Sequence, residues 1–408
     1  MGLPAGSAKQ LEGEPSRGEP GASAEAPSAS SWVERIQVTD FRNYEALRLE
    51  TGPQPVVLTG PNGSGKTNLL EAISLLTAGQ GLRRAPFQEL TRMGARGWAV
   101  AARVHGAYGP TDIGTGLKPN ESGTRAGRIV RINGEEQTGS GALAGILDAH
   151  WLTPAMDGLF TGPASERRRF LDRLIPSFDP GYRASLGRFE RAMQQRNRLL
   201  SDDVREAARF HGLEQVMAET GVAIAAARMH TIAELLSAIE ERRQTPDRSA
   251  FPWAELVVSG TLEAEIGARP AVDVEDTYLA TLDASRERDR AAGRTLEGPH
   301  RSDLVVGHGP KQMPASVCST GEQKALLVGL ILAHAELLRR HRGGAAPILL
   351  LDEVAAHLDP AKRAALFDEI VALGGQAWMT GTEVEPFSGL SGRAIFHRIE
   401  GGRIGPGA

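Results

Sequence analysis

The 408-residue chain is long enough for more than one domain with a full core. A formal net charge of −4 argues against a surface that binds polyanions all over, while leaving room for a local basic patch. A single cysteine, Cys318, excludes a disulfide framework and suits a reducing cytoplasm, and no stretch approaches the ~18 apolar residues of a membrane span.

Residues 1–31 are mostly Gly, Ala, Ser, Pro and Glu, and they read as a disordered tail or a translation start placed too early, with no secretory signal. Order is expected from Trp32, where WVERIQV alternates as a half-buried strand, followed by a DFRNY turn carrying Arg42. Residues 56–67, VVLTGPNGSGKT, form the most informative stretch. A short apolar strand runs into Gly60, Pro61, Asn62, Gly63, Ser64, Gly65, Lys66 and Thr67, and a helix follows to about Thr77. The glycines let successive N–H groups face one point, and the helix adds the positive end of its dipole. Lys66 is placed to reach the β- and γ-phosphates of a nucleotide, and Thr67 to hold Mg²⁺ through its hydroxyl. Strands are expected at 98–106 and 128–132, the second ending in an Asn133-Gly134 hairpin turn, with a loop over 107–127.

Residues 163–240 read as helical, with Leu186, Phe189, Met193 and Leu200 on one face and a further helix over about 213–240. A small β portion is expected near 252–260, then a charged helix over 273–291 whose ASRERDR run reads as a solvated face. ILLL (348–351) has the continuous apolar pattern of a central parallel strand. AWMTGT (377–382) reads as the next strand, and IFHRI and GRI as a terminal hairpin.

Asp352 and Glu353 close the ILLL strand. Beside a phosphate loop, Asp352 is expected to help hold Mg²⁺, and Glu353 to act as the general base toward water. Upstream, Ser319 is placed to cap a helix, and Cys318 beside it reads as a small buried residue. The order of phosphate loop, Ser319-Thr320-Gly321-Glu322-Gln323, Asp352-Glu353 and Leu358-Asp359 resembles the ABC-type ATPases, with 319–323 as the signature motif and Asp359 in the D-loop. The resemblance implies an α/β fold: an ABC-type P-loop ATPase head (32–160 and 298–405) carrying an inserted, mainly helical lobe II (161–297). It also implies that the signature of one subunit caps the γ-phosphate held by another, so that ATP drives a head-to-tail homodimer. Arg42 is grouped with the nucleotide-binding residues.

From 32 to 405 the chain resembles the RecF family of bacterial recombination and repair ATPases. The resemblance is carried by DFRNYEALRLE (40–50), GPNGSGKTNLLEAI (60–73), LTPAMDGLFTGPASERRRFLDRL (152–174), EGPHRSDL (297–304), STGEQKALL (319–327) and LLLDEVAAHLD (349–359). It implies an ATP-dependent, DNA-binding dimer with weak ATPase activity. Such a dimer acts in the cytoplasm with RecO and RecR to load RecA at gapped DNA and supports replication-fork maintenance and the SOS response. The chain departs from the wider ABC pattern at two places. Met379-Thr-Gly-Thr382 stands where transporter subunits have a switch histidine, suggesting a threonine contact to the γ-phosphate. The Q-loop position near Ala149-His150-Trp151-Leu152 holds no Gln, suggesting His150 or a backbone group in its place. Arg167, Arg168 and Arg169 are the favoured DNA contacts; Arg83-Arg84, Arg242-Arg243 and the 339–342 run are the other candidates. The alternatives are a soluble ATPase subunit of an ABC transporter and a structural SMC-like tether.

Overall fold

The computed structural model describes residues 30–406 apart from 107–108, 118–126, 245–249 and 357. The tail expectation therefore lies outside the described residues up to residue 29. Ser31 is already buried, and its carbonyl faces the N–H of Gln376.

In chain order the N-terminal part comprises β1 (Trp32–Phe41), β2 (Tyr44–Glu50), β3 (Val56–Thr59), α1 (Lys66–Ser74), β4 (Ala99–Gly106), β5 (Gly109–Leu117), β6 (Arg128–Ile132), β7 (Glu135–Gln137) and β8 (Ala149–Leu152). The middle holds α2 (Ala164–Leu174), α3 (Tyr182–Ser201), α4 (Ala207–Arg243), β9 (Ala254–Ser259), α5 (Thr261–Ile266), α6 (Ala271–Ala284) and α7 (Arg286–Ala292). The chain then runs through β10 (Asp303–His308), β11 (Met313–Pro314), α8 (Thr320–His341), β12 (Ile348–Leu351), α9 (Pro360–Leu373), β13 (Ala377–Gly381), β14 (Ile395–Glu400) and β15 (Arg403–Pro406).

One sheet is antiparallel, in the order β2-β1-β4-β5-β6-β7. A second has the order β15-β14-β3-β13-β12-β8, parallel from β14 through β8. Its middle strands β3 and β12 are buried at every position, which is why they read as unbroken apolar runs. A three-stranded sheet, β11-β10-β9, belongs with the helices. One apolar cluster joins the helices to one face of the parallel sheet, through Phe189, Tyr278, Leu330, Leu349 and Met379. A second joins the antiparallel sheet to the other face, through Ile36, Val104, Leu69 and Trp378.

Three expectations are corrected. Residues 109–117 are a strand, not loop: Ile113, Thr115 and Leu117 point inward with a period of two, masked in the sequence by Gly114 and Gly116. Gly116 is needed there, because a Cβ would lie 2.6 Å from the Trp98 carbonyl. The charged helix is two helices broken at Ser285, and its charged run is a solvated face only in part: Glu287 and Arg288 are exposed, Asp289 is not. Asp289 is fully buried because the Arg196 guanidinium, itself fully buried, donates to it at 2.7 Å. Finally, α4 is long and apolar enough to cross a membrane by length and composition. It is nevertheless packed against α3, α6 and α8, and its buried Arg228 pairs with Asp172 and Glu263, as in a core helix of a folded lobe.

Candidate nucleotide site

The phosphate loop lies between β3 and α1. Gly60 and Gly65 have φ of +143° and +118°. A Cβ on Gly60 would meet the Ile399 carbonyl at 2.1 Å, and one on Gly65 would meet Asn43 Nδ2 and the Tyr44 hydroxyl at 2.7 Å, so neither position admits a side chain. The loop is held from outside by two residues that the sequence did not single out. Asn43 Nδ2 donates to the Ser64 carbonyl (3.0 Å) and Tyr44 donates its hydroxyl to the Gly65 carbonyl (2.9 Å). Burial pushes the Tyr44 phenol up, so it remains an O–H donor.

Lys66 Nζ donates to the Gly60 and Pro61 carbonyls at 2.7 and 2.9 Å, and Ser64 Oγ is buried without a partner. Burial lowers the Lys66 pKa, opposed by the charges of Glu353 and Asp352. A buried ammonium held only by neutral carbonyls, beside an orphaned hydroxyl, fits a phosphate. Thr67 Oγ1 donates to Asp352 at 2.8 Å, which brings together the pair expected to hold Mg²⁺. Thr380 Oγ1 donates to the same Asp352 oxygen at 2.7 Å and accepts the Glu353 N–H at 2.9 Å. This threonine is fully buried and already engaged, so it orients the acidic pair; Thr382 is exposed. Glu353 has φ +50°, the left-handed region that a non-glycine residue occupies only when its surroundings impose it.

Thr67, Asp352 and Glu353 open on a cavity of about 610 Å³ that is also lined by Arg83, Arg84, Thr153, Glu166, Arg169 and Arg173. That size suits a small-molecule ligand. Arg42, at φ +54° in the β1–β2 turn, forms a two-bond ion pair with the buried Glu71 of α1 (2.8 and 3.1 Å), which Arg83 joins at 2.9 Å. Arg42 thus anchors the helix that carries the phosphate loop.

The signature residues lie elsewhere. Ser319 caps α8 in a capping box with Glu322, whose carboxyl is held down to about 2 by Lys311 and Ser319. Ser319 and Thr320 are exposed, Gly321 is half-buried, and Gln323 is buried with its amide donating to the Cys318 carbonyl. Cys318 is buried, as expected. Asp359 caps α9 through the Lys362 N–H at 2.9 Å.

The arginine run of α2 does not present a free phosphate-binding face. Arg167 forms a two-bond pair with Asp303 (2.8 Å each), Arg168 donates to the Ser302 carbonyl, and Arg169 faces the cavity beside Glu353. Arg167 and Arg168 therefore tie α2 to the start of β10. Of the other basic runs, Arg83 pairs with Glu71, Arg242 with Glu369, Arg339 with Glu336 and Arg342 with Asp148, while Arg84 lines the cavity.

His150 is not in the cleft. It is buried against His334 (ring centroids 4.5 Å apart), and three of the four ring nitrogens, including both of His150, have no hydrogen-bond partner. Burial, with Arg173 nearby, holds both rings neutral, His334 down to about 3. Between an unfolded value of ~6.5 and that folded value, the unfolded chain binds protons that the native chain refuses. Stability should therefore fall as pH drops through this window, by up to about 1.4 kcal/mol per pH unit for each such group. Urea titrations at pH 7, 6 and 5 measure this slope. His334→Phe should flatten it, and an unchanged slope would place the acid lability elsewhere.

A family model described as RecF/RecN/SMC N terminal domain matches residues 32–379. A DNA replication and repair protein RecF from Mesorhizobium japonicum is 53% identical over 379 residues, covering 93% of this chain and 98% of that protein. One from Rhizobium etli is 51% identical, covering 91% and 98%. The chain belongs to the RecF family. Solved structures of the recombination mediator protein RecF with ATPrS and with ATP superpose with TM-scores of 0.81 and 0.80 at 22% and 23% identity, covering 93% and 94% of this chain and 99% and 100% of theirs. An Smc head domain from Pyrococcus furiosus reaches 0.51. The fold is thus the ABC-type ATPase head that RecF and SMC proteins share. RecF relatives that cover nearly their whole length also set aside the transporter-subunit reading.

Proposed function

We propose that this chain is an ATP-switched recombination mediator of DNA repair and replication-fork maintenance, with residues 32–160 and 298–405 as the ATPase head and 161–297 as an inserted lobe. It works in the cytoplasm on gapped DNA with RecO and RecR to load RecA, and it supports the SOS response. Gly60 to Thr67 hold the triphosphate, and Thr67 and Asp352 hold Mg²⁺, which neutralises phosphate charge when bound. Glu353 accepts a proton from the attacking water. The observation that carries the reading is the separation of the two half-sites: none of residues 319–323 lines the cavity that contains Thr67, Asp352 and Glu353. A second copy of the chain then supplies the missing half across a two-fold axis, so ATP joins the dimer and hydrolysis releases it.

Light scattering with ATP, with and without gapped duplex DNA, tests this. The expected result is an ATP-dependent dimer that Glu353→Gln traps on DNA and Lys66→Met fails to form. Phosphate contact at about five positions would give a log–log salt slope near −4 to −5. Wild type and Glu353→Gln that stay monomeric with ATP and DNA alike would overturn the reading.

A further inference from the structure

The peptide unit of Glu353 is gripped from both sides. Its N–H is taken by Thr380 of β13, and its carbonyl receives Lys324 Nζ at 3.3 Å as well as the Ala356 N–H at 3.2 Å. Lys324 lies in α8, one residue beyond Gln323 of the signature, and its side chain is only 7% exposed. Its one carboxylate partner among the described residues is Asp157 at 3.7 Å, in the segment that follows β8. Burying an ammonium against a distant carboxylate and a neutral carbonyl is unfavourable for packing alone. It is understandable if the cation holds a strained backbone in place, and the backbone it touches is the left-handed Glu353.

We propose that Lys324 is a positioning residue for Glu353, tying the placement of the base to the signature helix of the same chain. When α8 meets the nucleotide of a second copy, a shift of α8 moves Lys324 and hence the Glu353 carbonyl, so each half-site reports its engagement to the other. This rests on the hydrolytic reading of Glu353. Lys324 acts on how the base is set, not on how nucleotide is held, because the residues proposed to hold the triphosphate lie in the loop between β3 and α1 and at the start of α1.

Steady-state ATPase assays on the full chain, with binding of a fluorescent ATP analogue, test the proposal. Lys324→Met should lower kcat by up to about 10²-fold, the cost of a misplaced catalytic group. The dissociation constant of the analogue should stay within about twofold, and Lys324→Arg should recover part of the rate. In a Glu353→Gln background Lys324→Met should cost nothing further, because both act through one group. Lys324→Gln, a milder change, serves if Lys324→Met does not fold. An unchanged kcat, or a full additional loss in the Glu353→Gln background, overturns the proposal. Wild-type protein that binds the analogue but turns over no ATP refutes the hydrolytic reading instead. Hydrogen exchange at Glu353 to Ala355 then decides the clamp: faster exchange in the Lys324 variant upholds it, and equal protection overturns it.

Discussion

Replacing Glu353 by glutamine is expected to lower ATP turnover by about 10²–10⁴-fold, the usual contribution of a general base. The substitution keeps size and shape and leaves Asp352, which Thr67 and Thr380 both address, untouched. Analogue binding should therefore persist while single-turnover phosphate release collapses. The discriminating alternative is Glu166, the other carboxylate lining the cavity beside the acidic pair. If Glu353→Gln retains turnover within tenfold and Glu166→Gln does not, the base is on α2.

The second large effect is on stability. Arg196 is fully buried and donates to Glu214 (2.9 Å), Asp289 (2.7 Å), the Thr295 hydroxyl (2.9 Å) and the Leu282 carbonyl (2.7 Å). It joins α3 to α4, α6 and α7 through one planar group. Arg196→Met leaves two buried carboxylates short of their partner, a loss of about 3–5 kcal/mol. The melting temperature should fall by several degrees, measured by scanning calorimetry. Replacing Arg196, Glu214 and Asp289 together by apolar residues should cost less than Arg196→Met alone, because desolvation is then relieved on both sides. Equal or greater loss would mean that the network is held by geometry rather than by charge compensation.

These two cases mark what a linear sequence discloses. The phosphate loop, the ILLL strand with its acidic pair and the helix cap at Ser319 are local patterns, each stating its chemistry within a dozen residues. Thr380 is not local. Nothing in AWMTG announces that its hydroxyl will bridge Asp352 and Glu353, because that role exists only once β13 lies beside β12. Asn43 and Tyr44 were equally silent until the β1–β2 turn met the phosphate loop. The charged run before Thr295 was misread at one residue for the same reason. Asp289 is buried only because Arg196, 93 residues earlier, comes to meet it. Arginine runs mislead in the opposite direction: Arg167 and Arg168 look like a basic patch, but Asp303 and the Ser302 carbonyl take them up.

The strand order of the parallel sheet has a consequence for synthesis. β3, which leads into the phosphate loop, lies between β14 and β13, and the Val33 N–H is answered by Gln376, 343 residues later. A ribosome making this chain releases the phosphate loop early but completes its neighbouring strands last. Until then α1 has only the antiparallel sheet to pack on, and Val56 to Leu58 are an unpaired apolar edge of the kind that invites aggregation. The antiparallel sheet and the helical lobe, whose contacts are nearer in sequence, can form first. A chain that stops before Ile348 therefore carries every residue of the phosphate loop but neither Asp352 nor Glu353, so the two halves of the site are completed at opposite ends of synthesis.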